Sequence, residues 1–443
     1  MRTSKSRLAI VILGLVLASV TAFGAPQSLT AYWFEWAPAT MLEELSKDFT
    51  KETGIGFKIS VTAVENWVQK INVEMAAHSD AYDIVIADSQ DVGGMVTSGH
   101  FVDLTNWVRK NKVDKTFTAA SMTAYAEYPK GSGKFWGVPT EGDAVGWAYR
   151  KDLFEDSKNK AAFKAKYGYD LGIPRDQQAL LDIAAFFNNP SKNMYGIAIY
   201  GDNGYDSLAM FAEGAIWSYG GALGDYSNYK VDGILNSQGS VDGIEFYKKL
   251  WKFVPPGHGD AFFVKNNDAF TAGIVPMTCN FFAFFPALSN PATNPFAKVT
   301  GYFANPPQKG RDGKVRQSAI LGGMASSIVS YSKKQDAAYK WLEWFIRPDV
   351  QMKWAKMGGY SCHADTIASS TFINATPYNK AFKESMNIMR DWWACPEYAD
   401  LLETFSKTVG NYIIRDQGTA KDALDKVTQK WTDIFTEAGY YKN

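Results

Sequence analysis

Asp83-Ile84-Val85-Ile86-Ala87-Asp88 is an apolar run with a carboxylate at each end. A strand with one wet face alternates apolar and polar residues, so an uninterrupted run marks a strand buried on both faces, as in a parallel sheet. Upstream, Leu29-Thr30-Ala31-Tyr32-Trp33-Phe34 reads as a first strand, and Phe57, Ile59 and Val61 alternate as a second. Between them Thr40, with Glu43 three residues on, predicts a capping box that opens a helix. Leu42, Leu45 and Phe49 are its expected buried stripe and Gly54 its stop. A second helix places Val68, Ile71 and Met75 on one face. The order is β-α-β-α-β, the unit of an α/β fold.

Downstream the alternation resumes. Gly137-Val138-Pro139 reads as a turn, then a strand runs around Gly146 to Tyr149, a helix around Gln178 to Phe187, and a strand from Tyr195 to Tyr200. Two α/β lobes fit this better than one. The C-terminal quarter is helical, with Leu424, Val427, Trp431 and Ile434 three or four apart and Gly439 as the stop.

The 443 residues carry 46 basic and 46 acidic side chains, so bulk charge does not draw the chain to nucleic acid or anionic membrane. Residues 1–24 read as a secretory signal: basic Arg2, Lys5 and Arg7, an apolar run from Leu8 to Ala18 too short to span a bilayer, then small residues before Ala25. Three cysteines, Cys279, Cys362 and Cys395, exclude a disulfide framework and leave room for one pair at most, of which Cys362 with Cys395 is the most plausible; whether it forms the sequence leaves open. No metal set or cofactor fingerprint is present, and no GxSxG, HExxH or Walker A motif.

What stands out is a set of loops at the carboxyl ends of the strands, where open α/β sheets bind ligands. Trp33-Phe34-Glu35-Trp36 follows the first strand, Asp88-Ser89-Gln90 the third, and Thr140-Glu141-Gly142-Asp143 the 137–139 turn. Each places a carboxylate beside polar, small or aromatic groups. Carboxylates accept hydrogen bonds from hydroxyls and aromatic faces stack on sugar C–H patches, so a neutral polyhydroxy ligand suits the set. For Trp33, core packing and stacking weigh equally. Asp91 reads as a helix cap or surface residue, and the Phe281-Phe282-Ala283-Phe284-Phe285 run divides between core and cleft in a way the period does not resolve.

Further segments carry a family resemblance. Asp83 to Asp88 with Gly93-Gly94 and Ser98-Gly99, the stretch from Gly137 through Tyr149-Arg150-Lys151-Asp152-Leu153-Phe154, and Trp217-Ser218-Tyr219-Gly220-Gly221 with Gly243 to Tyr247 come in order. Phe270-Thr271-Ala272-Gly273 with Met277 to Asn280, Leu321-Gly322-Gly323-Met324, Ala337 to Leu342, and Met357-Gly358-Gly359-Tyr360 follow. In order and spacing these resemble the family 1 extracellular solute-binding proteins of ABC importers, the group that includes maltose-binding protein.

The resemblance implies an α/β, two-lobed periplasmic-binding-protein fold, type II-like, with three inter-lobe crossings and the ligand in the cleft. Lobe 1 would comprise 25–140 plus 321–360, and lobe 2 141–320 plus 361–443. It implies a monomer without cofactor or catalysis that captures a neutral mono- or disaccharide by hinge closure and delivers it to a membrane permease. The residues carried over are Asp88, Ser89, Gln90, Glu141, Asp143, Tyr205, Trp217, Asn280, Phe281, Phe282, Gly322, Gly323 and Tyr360, with Trp33, Glu35 and Trp36 matching in location only. Where the maltose-binding branch has Trp after its inner strand, this chain has the 281–285 phenylalanines, which opens the ligand beyond malto-oligosaccharides. The rival readings are a binding protein for a polyol, amine or other small solute, an exported glycosidase using two of Glu35, Asp88, Glu141 and Asp143, and a structural surface protein.

Overall fold

The computed structural model describes residues 27–203 and 207–441; the side chains of Val64, Glu65 and Val68, residues 1–24, which read as a signal in the sequence, and Tyr205 lie outside what it describes. The first unit runs β1 (Ser28–Phe34), α1 (Ala37–Thr53), β2 (Gly56–Thr62), α2 (Val64–Ala76), β3 (Ile84–Asp88). β1 pairs in parallel with β2 along its whole length and with β3 through Ala31 and Tyr32, so all three strands end on one edge. Leu42, Leu45 and Phe49 are buried on α1 as their spacing requires, and Gly54 closes that helix in the left-handed region with its N–H on the Thr50 carbonyl at 2.8 Å.

The capping box does not form. α1 starts three residues before Thr40, at Ala37, because Pro38 occupies the first turn, where a missing N–H costs nothing. Glu43 instead accepts the Ile59 N–H at 2.6 Å and ties α1 to β2.

Two long strands then carry the chain between halves. β4 (Val138–Arg150) and, after β5 (Met277–Phe281), β6 (Thr300–Ala304) and a short β7–β8 hairpin (Gln308–Lys309, Val315–Arg316), β9 (Ala319–Ile328) run antiparallel to each other. β9 also pairs with β3, while the second half of β4 pairs with β5 and β6, giving one sheet in the order β2-β1-β3-β9-β4-β5. A two-residue β10 (Met389–Arg390) joins β9 at Ala319 and Ile320.

The expected 137–139 turn is therefore the start of a 13-residue strand, with Pro139 accommodated at a register shift before Glu141. The 195–200 segment is not a strand: its N–H groups go in turn to Ile274, Phe253 and Met277, leaving a single bridge from Ala198 to Thr278.

The buried side chains gather mainly in two cores. The first gathers Leu42, Phe49, Ile86, Trp341 and Trp354 around β1–β3 and continues beneath β4 to Phe282, Phe285 and Phe382. The second holds Trp147, Phe163, Tyr247 and Trp431. On the last long helix, Ala420–Glu437, Leu424, Val427 and Trp431 are buried as their spacing predicts. The next buried position is Phe435, four residues on, and Ile434 is only half-buried. The three cysteines are free buried thiols, so the Cys362–Cys395 pair is absent: Cys362 lies in the first core and Cys395 in the second. Among the described residues no helix is long and apolar enough to cross a membrane.

Candidate functional site

Because β1–β3 are parallel and in register, their carboxyl ends line up, and the chain leaves β3 at Asp88 through a tight turn into the short helix α3 (Val92–Thr97), whose closing bond runs from the Asp91 N–H to the Asp88 carbonyl at 3.1 Å. Facing that edge are the segment 391–398, the helices Ser207–Ser218 and Tyr398–Ile413, and Phe262 and Phe263. Between the walls lie two cavities that share Gln90 and Tyr398. A deep one of about 30 Å³ is bounded by Asp88, Ser89, Glu213, Gly322, Asp391 and Trp392. An outer one of about 950 Å³ is bounded by Asp91, Ser98 and His100 on one side and by Phe262, Phe263 and Leu402 on the other. The walls touch where Gly93 meets the 394–395 backbone; a Cβ on Gly93 would sit 2.0 Å from the Ala394 carbonyl oxygen.

Carboxylates dominate the deep end. The Ser89 hydroxyl lies 3.3 Å from both Asp88 and Asp391. Asp391 accepts the Trp392 N–H at 2.8 Å and pairs with the Lys130 ammonium, which also donates to the Trp392 carbonyl at 3.0 Å and lies 5.6 Å above the Tyr226 ring. Burial, then the neighbouring Asp391, pushes Asp88 up to about 7. Burial, then Asp88, pushes Asp91 up to about 8. Several polar atoms on these walls are buried without a hydrogen-bond partner: Asp91 Oδ2, His100 Nδ1 and the indole N–H of Trp392.

Asp143 stands opposite Gly322 in the β4–β9 ladder and accepts the backbone N–H groups of Ala144 at 2.8 Å and Ala283 at 3.4 Å. Burial raises it to about 8 despite those bonds. Gly322 leaves room for the Phe281 ring, which a Cβ there would approach to 2.7 Å. Glu141 is fully buried, takes the Tyr360 N–H at 3.1 Å on one oxygen, has no partner on the other, and is held well above the usual carboxylate range by burial. Gly323, beside it at φ 119°, packs against the Glu141 carbonyl.

Of the residues singled out in the sequence, Asp88, Ser89, Gln90 and Gly322 line the cavities, whereas Asp143, paired with Gly322 in the ladder, lines neither. Trp33 is fully buried in the first core, its indole N–H on the Met324 sulfur at 2.7 Å, and offers no face to the cleft. Glu35 is exposed and Trp36 half-buried at the start of α1, and neither lines a cavity. Trp217 is buried beneath the Arg390 guanidinium, 5.7 Å from its ring. The Asn280 side chain is committed to Tyr200, Asn267 and the Phe263 carbonyl at 2.8–3.0 Å. Phe281 packs in the second core and Phe282 in the first, and Tyr360 donates to the Phe282 carbonyl at 2.7 Å. The half-buried ring of that run, Phe284, stacks on Phe263 at 4.3 Å.

The sequence reading passed over Asp391 and Trp392, although Asp391-Trp392-Trp393 carries the same signal used elsewhere, a carboxylate beside aromatic residues. Asp91, expected to cap a helix or face solvent, makes no side-chain cap bond and borders the outer cavity. His100, Phe262 and Phe263 had no distinguishing signal.

This fold and cleft are those of a two-lobed solute-binding protein. Residues 35–352, more than half of the chain, match the bacterial extracellular solute-binding protein family, and the chain belongs to that family, whose members serve ABC transporters. A curated relative in Sinorhizobium fredii, named a probable amino-acid ABC transporter periplasmic-binding protein (y4oP), is 20% identical over 346 residues, 76% of this chain and 73% of that one. Among solved structures, an ABC transporter solute-binding protein of Agrobacterium radiobacter K84 in complex with ribitol is 21% identical, with a TM-score of 0.75 over 92% of this chain and 99% of that one. Maltose-bound T. maritima MalE3 is 20% identical, with a TM-score of 0.74 and the same coverage.

Proposed function

We propose that this chain is the periplasmic receptor of an ABC importer and that it holds a small sugar or polyol in the cleft between its lobes. The observation that carries the reading is the set of buried, unpartnered hydrogen-bonding atoms on the cleft walls, Asp91 Oδ2, His100 Nδ1 and the Trp392 N–H. Each costs about 1–3 kcal/mol while unsatisfied, and a ligand with several hydroxyls supplies both the donors and the acceptors they lack. The rings of Phe262, Phe263 and Tyr398 offer apolar faces for the C–H side of such a ligand. Ribitol and maltose in structures of the same fold support the choice of solute.

In this reading residues 1–24 direct export and are removed, 25–140 with 321–360 form one lobe and 141–320 with 361–443 the other, and the monomer closes about β4 and β9. Asp88, Ser89, Gln90 and Gly322 form the floor of the site, joined by Asp91, His100, Asp391 and Trp392. The bound, closed form docks on the permease, and no bond of the solute is broken.

The test is a thermal-shift screen of the purified chain against sugars, polyols, amines and organic acids, since a ligand that binds only the folded state raises its midpoint. A rise of several degrees with sugars or polyols is expected. A rise confined to organic acids, or none with any solute, overturns the reading, as does release of nitrophenol from chromogenic glycosides.

A further inference from the structure

Asp88, Asp91 and Asp391 border the connected cavities, and one ammonium, that of Lys130, is paired among them, with Asp391. Two other buried carboxylates have local partners. Asp83 has Lys334 at 3.1 Å and the Ser332 hydroxyl at 2.7 Å, and Glu127 has the Gly133 N–H at 2.6 Å. Asp88 has the Ser89 hydroxyl and adjacent backbone amides but no cation, and Asp91 Oδ2 is buried with no partner at all. Lys130 answers Asp391, and no cation stands beside Asp88 or Asp91 to balance their ionised forms. Across the outer cavity stand the rings of Phe262, Phe263 and Tyr398, whose faces attract a cation. An independent pointer to a ligand is Trp392: it lines the deep cavity, is 3% exposed, and its indole N–H lacks an acceptor.

We infer that the solute carries a protonated primary amine beside its hydroxyls, an amino sugar or amino polyol, with the ammonium among Asp88, Asp91 and Asp391 and a hydroxyl oxygen accepting from Trp392. This rests on the receptor reading above and adds the charge of the ligand to it. An ammonium brings three donors and the missing positive charge, whereas a hydroxyl brings one donor and none of the charge. A simple alkylammonium would answer the carboxylates but leave the Trp392 N–H buried and unpaired.

Isothermal titration of the whole chain at pH 7.5 with matched pairs tests it: D-glucosamine against D-glucose, D-galactosamine against D-galactose, and 1-amino-1-deoxy-D-sorbitol against D-sorbitol, with N-acetyl-D-glucosamine and putrescine alongside. The expected result is an amine that binds at least tenfold more tightly than its parent in one or more pairs, an advantage that N-acetylation removes. Asp88→Asn and Asp91→Asn, which keep shape and lose charge, should each shrink that advantage. Asp91 lies on a half-exposed turn, so its variant reports even if the Asp88 variant folds poorly. Parents that bind as tightly as their amines overturn the inference and leave the sugar or polyol receptor standing. Putrescine binding as tightly as the amino sugars overturns it too, because the hydroxyls are then unused. Absence of binding by every sugar, polyol and amine overturns the inference and the receptor reading together.

Discussion

The two walls of the outer cavity differ in where their phenyl and phenol rings stand. The first lobe contributes Gln90, Asp91, Ser98 and His100, short polar side chains held on a turn and a short helix that follow a strand buried on both faces. The second contributes the rings of Phe262, Phe263 and Tyr398 and the side chain of Leu402, set among Asn203, Glu403, Ser406 and Lys407. Hydrogen bonds demand direction, and the parallel strand ends fix direction best. Stacking rewards area and tolerates a shift in ring position. A cavity with these rings on one wall can read a ligand's hydroxyl pattern on one side while accommodating its girth on the other.

The comparison is broken most sharply where the walls touch. Gly93→Ala places a methyl in the Ala394 carbonyl and should hold the lobes apart, costing about 2–3 kcal/mol of ligand affinity, near a hundredfold. Titration would measure the loss and small-angle scattering the failure to compact with ligand, while the midpoint of the empty chain stays within about 2 °C of the parent. If that midpoint falls as far as the affinity does, the contact is part of the folded state and not of closure. On the first lobe's side, Asp88→Ala removes an acceptor and should cost about 1–3 kcal/mol in affinity. On the wall with the rings, Phe263→Ala should cost only about 0.5–1.5 kcal/mol, read in the same titration. Equal losses from the two substitutions would erase the distinction between the walls.

The smallest effect is on pH. Asp88 at about 7 and Asp91 and Asp143 at about 8 lie above the ordinary carboxylate value near 4, so between these limits the folded chain holds protons that the unfolded chain has released. Their contribution to stability is therefore greatest at low pH and is lost as pH rises through 7 to 8. The melting midpoint of the empty chain, measured from pH 5.5 to 8.5, should drift down by a few degrees from this cause, and Asp91→Asn should flatten part of the slope.

How legible this was in the sequence depended on where each residue finds its partners. β1 to β3 could be read because burial on both faces writes itself into the strand as an unbroken apolar run. The second half of β4, around Gly146 to Tyr149, could be read too, but its first half could not, since its buried polar residues are satisfied from far along the chain: Thr140 by the Ser326 hydroxyl at 2.6 Å, Glu141 by Tyr360, Asp143 by Ala283. Locally such a stretch looks like a polar loop after a proline. Trp33 shows the same limit in reverse, for at a strand end beside Glu35 it resembled a ligand platform, and only the position of Met324, 291 residues away, settles it as core. Asp391 was invisible for its brevity, sitting alone between a two-residue strand and a helix, with Lys130 on the other side of the cleft.

The order of the sheet also bears on how the chain is made. β3 is complete at Asp88, but the strand beside it, β9, begins only at Ala319, so one edge of the first lobe's parallel strands stays bare while more than two hundred residues are added. At synthesis rates of about 5–20 residues per second that interval lasts on the order of 10–50 s. Contacts that close so long a loop also form slowly once the chain is whole. Until then a nascent polypeptide that cannot finish its first lobe remains an open, extended chain.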